Sequence, residues 1–168
     1  GIAGYYEGQR LGVKTVDVPL VVLMFRTEDE FQTYQRMPPG VVAYYNILTN
    51  HVVMYEESRL ARLKRELAIQ QSISTIAHEG VHQVLHNIGV QQRLSRWPMW
   101  ISEGLPEYFA PTQVDKRVRW KGVGLVNDLR MHNLLEFYKQ QPGGTTRGEV
   151  IRVTAEAEGL DSTGYAAA

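Results

Sequence analysis

Thr75-Ile76-Ala77-His78-Glu79-Gly80-Val81-His82 carries two histidines four residues apart with a glutamate directly after the first, an HExxH pattern, and its reading decides the fold. On a helix, residues four apart are separated by about 400° of turn and about 6 Å of rise, so His78 and His82 share one face and form a clamp for a divalent cation. Glu79 lies about 100° round from His78 and about 60° from His82, close enough to touch a water on that cation without being a ligand itself. Downstream, Trp100-Ile101-Ser102-Glu103-Gly104 offers Glu103 as a third ligand. Three protein ligands with the fourth position left to water is the donor count of a catalytic zinc site. Two neutral imidazoles and one carboxylate leave a single Zn2+ ion with net positive charge, which acidifies its water and polarises a carbonyl. Glu79 is then expected to act as general base, taking the proton of that water and later passing it to a leaving amine.

Working outward, residues 60–88 carry a helical pattern with a break expected before Ile69. Taking His78 as zero and 100° per residue, Ile73, Ala77, Val81, Val84, Leu85 and Ile88 fall between about 220° and 340°, opposite Glu79. This apolar face is expected to pack on a sheet, with the histidines and Glu79 turned to a cleft formed by the second half of the chain. His86 continues the series His78, His82 but stands about 12 Å along the helix from His78, too far to share one ion, and reads as a cleft-rim or solvated residue.

The sheet comes from the segments in front. Residues 18–25 form a short apolar, β-branched run of the kind that makes a buried central strand. Thr27, followed three residues later by Glu30, is a capping box that starts a short helix to about Arg36, stopped by Met37-Pro38-Pro39-Gly40. Residues 41–46 and 51–56 are β-prone and flank Ile47-Leu48-Thr49-Asn50, a gap that fits an antiparallel hairpin with a four-residue loop. Beyond the motif, Gly89 stops the helix. A second helix is expected over 98–109, with Pro106 unable to donate to the carbonyl of Ser102, and further helices over 126–140 and 149–158. The tail Tyr165-Ala166-Ala167-Ala168 reads like the start of a helix that is cut off.

At 168 residues the chain suits one compact domain, and its 43% hydrophobic content is that of an ordinary globular protein. Lys plus Arg equals Asp plus Glu at 18 each, so no global field favours a nucleic-acid backbone or an anionic membrane. The basic run Lys116-Arg117-Val118-Arg119-Trp120-Lys121 is accordingly read as a solvated loop or strand. Without cysteine there are no disulfides, thiol nucleophiles or cysteine zinc sites, and any metal falls to histidine and carboxylate. No stretch approaches the roughly 20 apolar residues of a membrane span, and the N-terminus has no signal-peptide pattern. The chain starts at Gly1 rather than methionine, which leaves an exported or periplasmic origin open.

His78-Glu79-x-x-His82, a separation of about twenty residues, and Glu103 on a second helix resemble the signature of the gluzincin branch of zinc metallopeptidases. The block Trp100-Ile101-Ser102-Glu103-Gly104-Leu105-Pro106-Glu107-Tyr108-Phe109 is similar to the WxxEGxxEYF block of uncharacterised peptidase-MA-like domains, and the resemblance covers roughly 19–111. It implies an α+β, zincin-like fold: a small mixed sheet with an edge-strand hairpin, an active-site helix, and a mostly helical C-terminal half. It further implies that Ala43, Tyr44 and Tyr45 lie on the edge strand that pairs with an extended peptide substrate, and that Glu107 orients His78. Pro106 departs from the small residue expected there, which affects the direction of Glu107. A donor for the tetrahedral oxyanion is commonly a tyrosine or histidine in this class, and Tyr165, His132, Tyr138 and Arg130 are the candidates. The expected activity is zinc-dependent hydrolysis of peptide bonds in a peptide or protein substrate. The alternatives are a non-catalytic zinc-stabilised module that grips a peptide or partner, and a metal-free degenerate domain.

Overall fold

Strands β1 (Val21–Phe25), β2 (Ala43–Asn46) and β3 (His51–Tyr55) form a mixed sheet in the order β1-β3-β2. The computed structural model describes residues 1–56, 65–114 and 118–126, together with Met131, Leu135, Glu136 and Lys139. β1 runs parallel to β3, and β2 runs antiparallel to β3 with Ala43 opposite Met54 and Asn46 opposite His51. The fold is α+β. The hairpin forms with the four-residue loop expected from the sequence. In the turn, the Asn46 side chain accepts the N–H groups of Leu48 (3.0 Å) and Thr49 (3.2 Å), and Asn50 takes a left-handed φ of 60°. Asparagine tolerates that conformation because its short side chain can bond locally.

β1 is not the central strand. It lies at one edge, with Val22 and Met24 exposed, while β3 takes the middle and buries Val52, Val53 and Met54. An apolar run alone does not distinguish these positions, because the covering of an edge strand's outer face depends on elements elsewhere in the chain. Between β1 and β2, α2 (Glu28–Tyr34) starts at the expected capping box: Glu30 N–H donates to Thr27 Oγ1 at 3.2 Å, and Thr27 N–H donates to Glu30 Oε2 at 3.3 Å. Its Phe31 is fully buried with Val53 and Tyr55, making a core on one face of the sheet.

A long helix, α3 (Arg65–Asn87), carries the HExxH and is continuous from Arg65, the part of the expected helix before Arg65 lying outside the described residues, and α4 (Met99–Phe109) carries Glu103. Gly89 follows α3 at a φ of 81°, a left-handed stop that glycine adopts without strain. The apolar stripe of α3 does not pack on the sheet. Val81, Leu85 and Ile88 are buried with Phe109 of α4, and this second core is closed by Ile2, Tyr5 and Tyr6 of α1 (Ile2–Gly8). The Tyr5 and Phe109 rings meet edge-on at 5.2 Å between centroids. The stripe's partner is therefore α1 with α4 rather than the expected sheet, because the short segment Ile2–Gly8 is helical and brings its aromatic residues to the core. Toward the sheet α3 sends Gln83, which donates to the carbonyls of Val21 at the start of β1 (3.2 Å) and Asn50 in the hairpin loop (2.6 Å).

β4 (Thr112–Val114) and β5 (Val118–Trp120) make a separate antiparallel pair, with Val118, Arg119 and Trp120 exposed as expected for the basic run. Among the described residues no helix is long and apolar enough to cross a membrane. The helices expected over 126–140 and 149–158 fall largely or wholly outside the described residues, although Met131, Leu135, Glu136 and Lys139 are helical.

Candidate metal centre

The wheel of α3 has three working sectors. His78 and His82, at about 0° and 40°, face α4; Val81, Leu85 and Ile88, at about 280° to 340°, enter the apolar core; Glu79, His86, Gln83 and Asn87, at about 80° to 180°, face the hairpin. This division brings α4 and β2 to adjoining sides of the histidine pair.

Glu103 Oε2 lies 3.1 Å from His78 Nε2 and 3.5 Å from His82 Nε2. Four-coordinate zinc with bonds of about 2.0–2.1 Å places neighbouring donor atoms about 3.3–3.4 Å apart, so the two separations bracket the edge of such a tetrahedron. The three donor atoms lie within 4.8 Å of one another, a group that could hold a metal ion. The donor set of two imidazoles and a carboxylate suits zinc and other borderline divalent ions. The two imidazole planes are at 75° to each other, with centroids 5.1 Å apart.

Glu107 Oε1 stands 3.1 Å from His78 Nδ1, so both nitrogens of this ring are engaged by α4, one turn apart. Pro106 does not prevent it. It is buried within α4, and the helix continues past it with Ala110 N–H donating to the Pro106 carbonyl at 2.8 Å. A carboxylate on Nδ1 fixes the tautomer that presents a bare Nε2 to a cation.

Burial disfavours a charged His78, but the hydrogen bonds to Glu103 and Glu107 and the charge of Glu79 outweigh it and push its pKa up to about 9. Burial likewise works against an ionised Glu103, yet the two histidines hold its carboxyl well below the usual range. Glu79 goes the other way. Burial raises its pKa, against the lowering effects of His78, His82 and a backbone hydrogen bond from Tyr45.

That backbone contact follows from the register. Tyr55 N–H donates to the Val42 carbonyl at 3.3 Å, so by antiparallel alternation Tyr44 pairs with Val53 by hydrogen bonds, while Ala43 and Tyr45 direct their N–H and C=O groups to the open side of β2. Ala43, Tyr44 and Tyr45 thus lie on an edge strand whose open side adjoins Glu79. His86 is half-buried rather than solvated. Its ring stacks on Tyr45 (5.4 Å, 23°), and Nδ1 lies 3.1 Å from the Gln91 carbonyl; burial lowers its pKa.

The oxyanion candidates Tyr165, His132, Tyr138 and Arg130 lie outside the described residues. Sequence reading missed the polar group behind the site, formed by Asn50, Gln83, Asn87 and Arg93. The available signal was an asparagine ending the hairpin loop, with an Asn and an Arg soon after the motif.

The fold and site together define an α+β chain with a His2Glu group, drawn from two helices, that could hold a metal ion. The chain belongs to the family described as protein of unknown function (DUF1570), whose family model matches residues 72–168, a stretch that begins within α3 and includes all three candidate ligands. No curated protein and no solved structure matches the chain.

Proposed function

We propose that this protein is a zincin-like, gluzincin-type metallopeptidase that holds one zinc ion with His78, His82 and Glu103. The observation that carries this reading is the convergence of these three side chains, with Glu103 at tetrahedral-edge spacing from each histidine and Glu79 beside them outside the ligand set. Zinc bound there supplies a Lewis acid that polarises a peptide carbonyl and lowers the pKa of water.

The chain's own residues do the rest. Glu107 keeps the His78 Nε2 lone pair aimed at the ion. Glu79 accepts a proton from the attacking water and delivers it to the departing amine, a task favoured by a carboxyl whose pKa is raised by burial. The open side of β2 receives an extended substrate through the outward N–H and C=O groups of Ala43 and the outward C=O of Tyr45, which recognises backbone whatever its side chains.

Glu79→Gln tests the reading. Zinc content by atomic emission should stay at one ion per chain, while cleavage of an unstructured protein such as casein should fall by about 10²–10⁴-fold, the usual contribution of a general base. Undiminished cleavage in that variant sinks the mechanism. Stoichiometric zinc with no cleavage by the wild type would instead favour a zinc-stabilised binding module, and absence of zinc a degenerate domain.

A further inference from the structure

Tyr45 is held at both ends. Its backbone N–H points to the open side of β2, where Glu79 lies, its ring lies on His86, and its hydroxyl enters a polar cluster between the hairpin and the end of α3. There the hydroxyl donates to Asn50 Oδ1 at 2.9 Å and lies beside the Arg93 guanidinium, which bonds the same Oδ1. Asn50 Oδ1 accepts two more bonds, from Asn87 Nδ2 at 2.7 Å and Arg93 Nη2 at 3.0 Å. Arg93 also donates to the Ile47 carbonyl at 2.8 Å and to Asn87 Oδ1 at 3.1 Å. Asn87 in turn donates to the Gln83 carbonyl at 2.6 Å, which ties the cluster to α3. One planar guanidinium therefore bonds the hairpin turn, the end of the metal-binding helix and Tyr45 together, a geometry that a flexible ammonium does not reproduce.

We propose that Arg93 and Asn50 are positioning residues that act through Tyr45: they pin its hydroxyl, and the rigid ring transmits that constraint to the backbone N–H that locates Glu79. This rests on reading Glu79 as the general base. The ring provides the leverage, since it cannot shorten, and its stacking on His86 leaves rotation about that contact as the soft motion once the hydroxyl is released. Strand β2 would then be free to drift along α3, although its ladder to β3 stays intact. The base would lose its fixed donor while the metal ligands, which belong to α3 and α4, stay in place.

The test is residue-resolved amide hydrogen exchange on the full chain loaded with zinc, in Tyr45→Phe, Arg93→Gln and Arg93→Lys. Tyr45→Phe deletes only the hydroxyl and keeps the ring. Exchange at position 45 should speed up about tenfold in Tyr45→Phe and Arg93→Gln, the scale of one lost hydrogen bond, while the Tyr44 amide, paired with Val53, is unchanged. Zinc stoichiometry should hold, and kcat should fall about tenfold with KM within about twofold, because a displaced base affects the chemical step rather than binding. Arg93→Lys should recover only part of the loss, and Tyr45→Phe combined with Arg93→Gln should be no worse than Arg93→Gln alone, as for residues on one path. Exchange rising at 44 and 45 together, no change at 45, or a faster amide at 45 with unaltered kcat would each overturn the proposal. If the wild type cleaves no peptide, the peptidase reading falls and the exchange pattern still decides whether the clamp exists. If it cleaves while position 45 fails to respond, only the clamp falls.

Discussion

The described sheet has two edges with the same backbone chemistry and different surroundings. β1 exposes Val22 and Met24 and borders a shallow groove lined by Met24, Arg26, Asp29, Tyr34 and Glu56. β2 has an open side too, but there it meets Glu79 and, beyond it, the convergent His78, His82 and Glu103. An unpaired row of N–H and C=O groups is thus only a potential binding surface. What separates the two edges is the helix alongside: α3 presents Glu79 to β2 but to β1 only the Gln83 amide at the Val21 carbonyl, and the Asn50 and Arg93 cluster ties the hairpin of β2 to it.

The comparison can be broken at several points. After the loss of cleavage expected for Glu79→Gln, the next largest effect is expected from Glu107→Gln, which should weaken zinc binding by about 10–100-fold, the usual cost of losing the carboxylate behind a ligating histidine. Competition with a fluorescent zinc chelator would measure it. The same titration has a pH signature. The metal needs an unprotonated His78 Nε2, and this histidine holds its proton up to a pKa of about 9, because Glu103 and Glu107 outweigh its burial. Zinc affinity should therefore be highest above that pH and fall by up to about tenfold per unit below it, with a proton released on binding. A pH-independent affinity between pH 6 and pH 9 would contradict the pairing seen around His78.

A smaller effect should distinguish the edges directly. Ala43→Pro removes an outward N–H from β2 and should raise KM for peptides about tenfold, one hydrogen bond's worth, whereas Met24→Lys on β1 should leave both kinetic constants within about twofold. Equal losses from the two would mean that the edges do not differ in function. The smallest is Thr27→Ala at the capping box of α2, on the β1 side. It should lower unfolding free energy by about 1 kcal/mol in urea denaturation and leave zinc affinity untouched.

Much of the site was legible in the sequence because its decisive distances are local. The four-residue spacing of His78 and His82 sets a shared helix face whatever surrounds the helix, and the four-residue step from Glu103 to Glu107 does the same on α4. The capping box at Thr27 and the hairpin loop were equally readable, since each needs only residues within one turn. The errors came where an element's partner lay far along the chain. The apolar stripe of α3 was assigned to the sheet, but Val81, Leu85 and Ile88 pack with Phe109 and the aromatic residues of α1. The apolar run of residues 18–25 suits a central strand, but β3, thirty residues on by register, takes that place.

The sequence by itself determined that two histidines and a glutamate would share a helix, that a hairpin would precede it, and that histidine and carboxylate would be the only strong metal donors in a chain without cysteine. Periodicity settles such matters because helical and strand geometry repeat over a few residues. The tertiary structure alone decided that Glu103 would meet both histidines, that the open side of β2 rather than β1 would adjoin Glu79, and that Arg93 would reach back to Ile47, Asn50 and Tyr45. Those outcomes depend on which surfaces bury one another. That is a competition among all the elements at once, and no local pattern in the chain encodes its result.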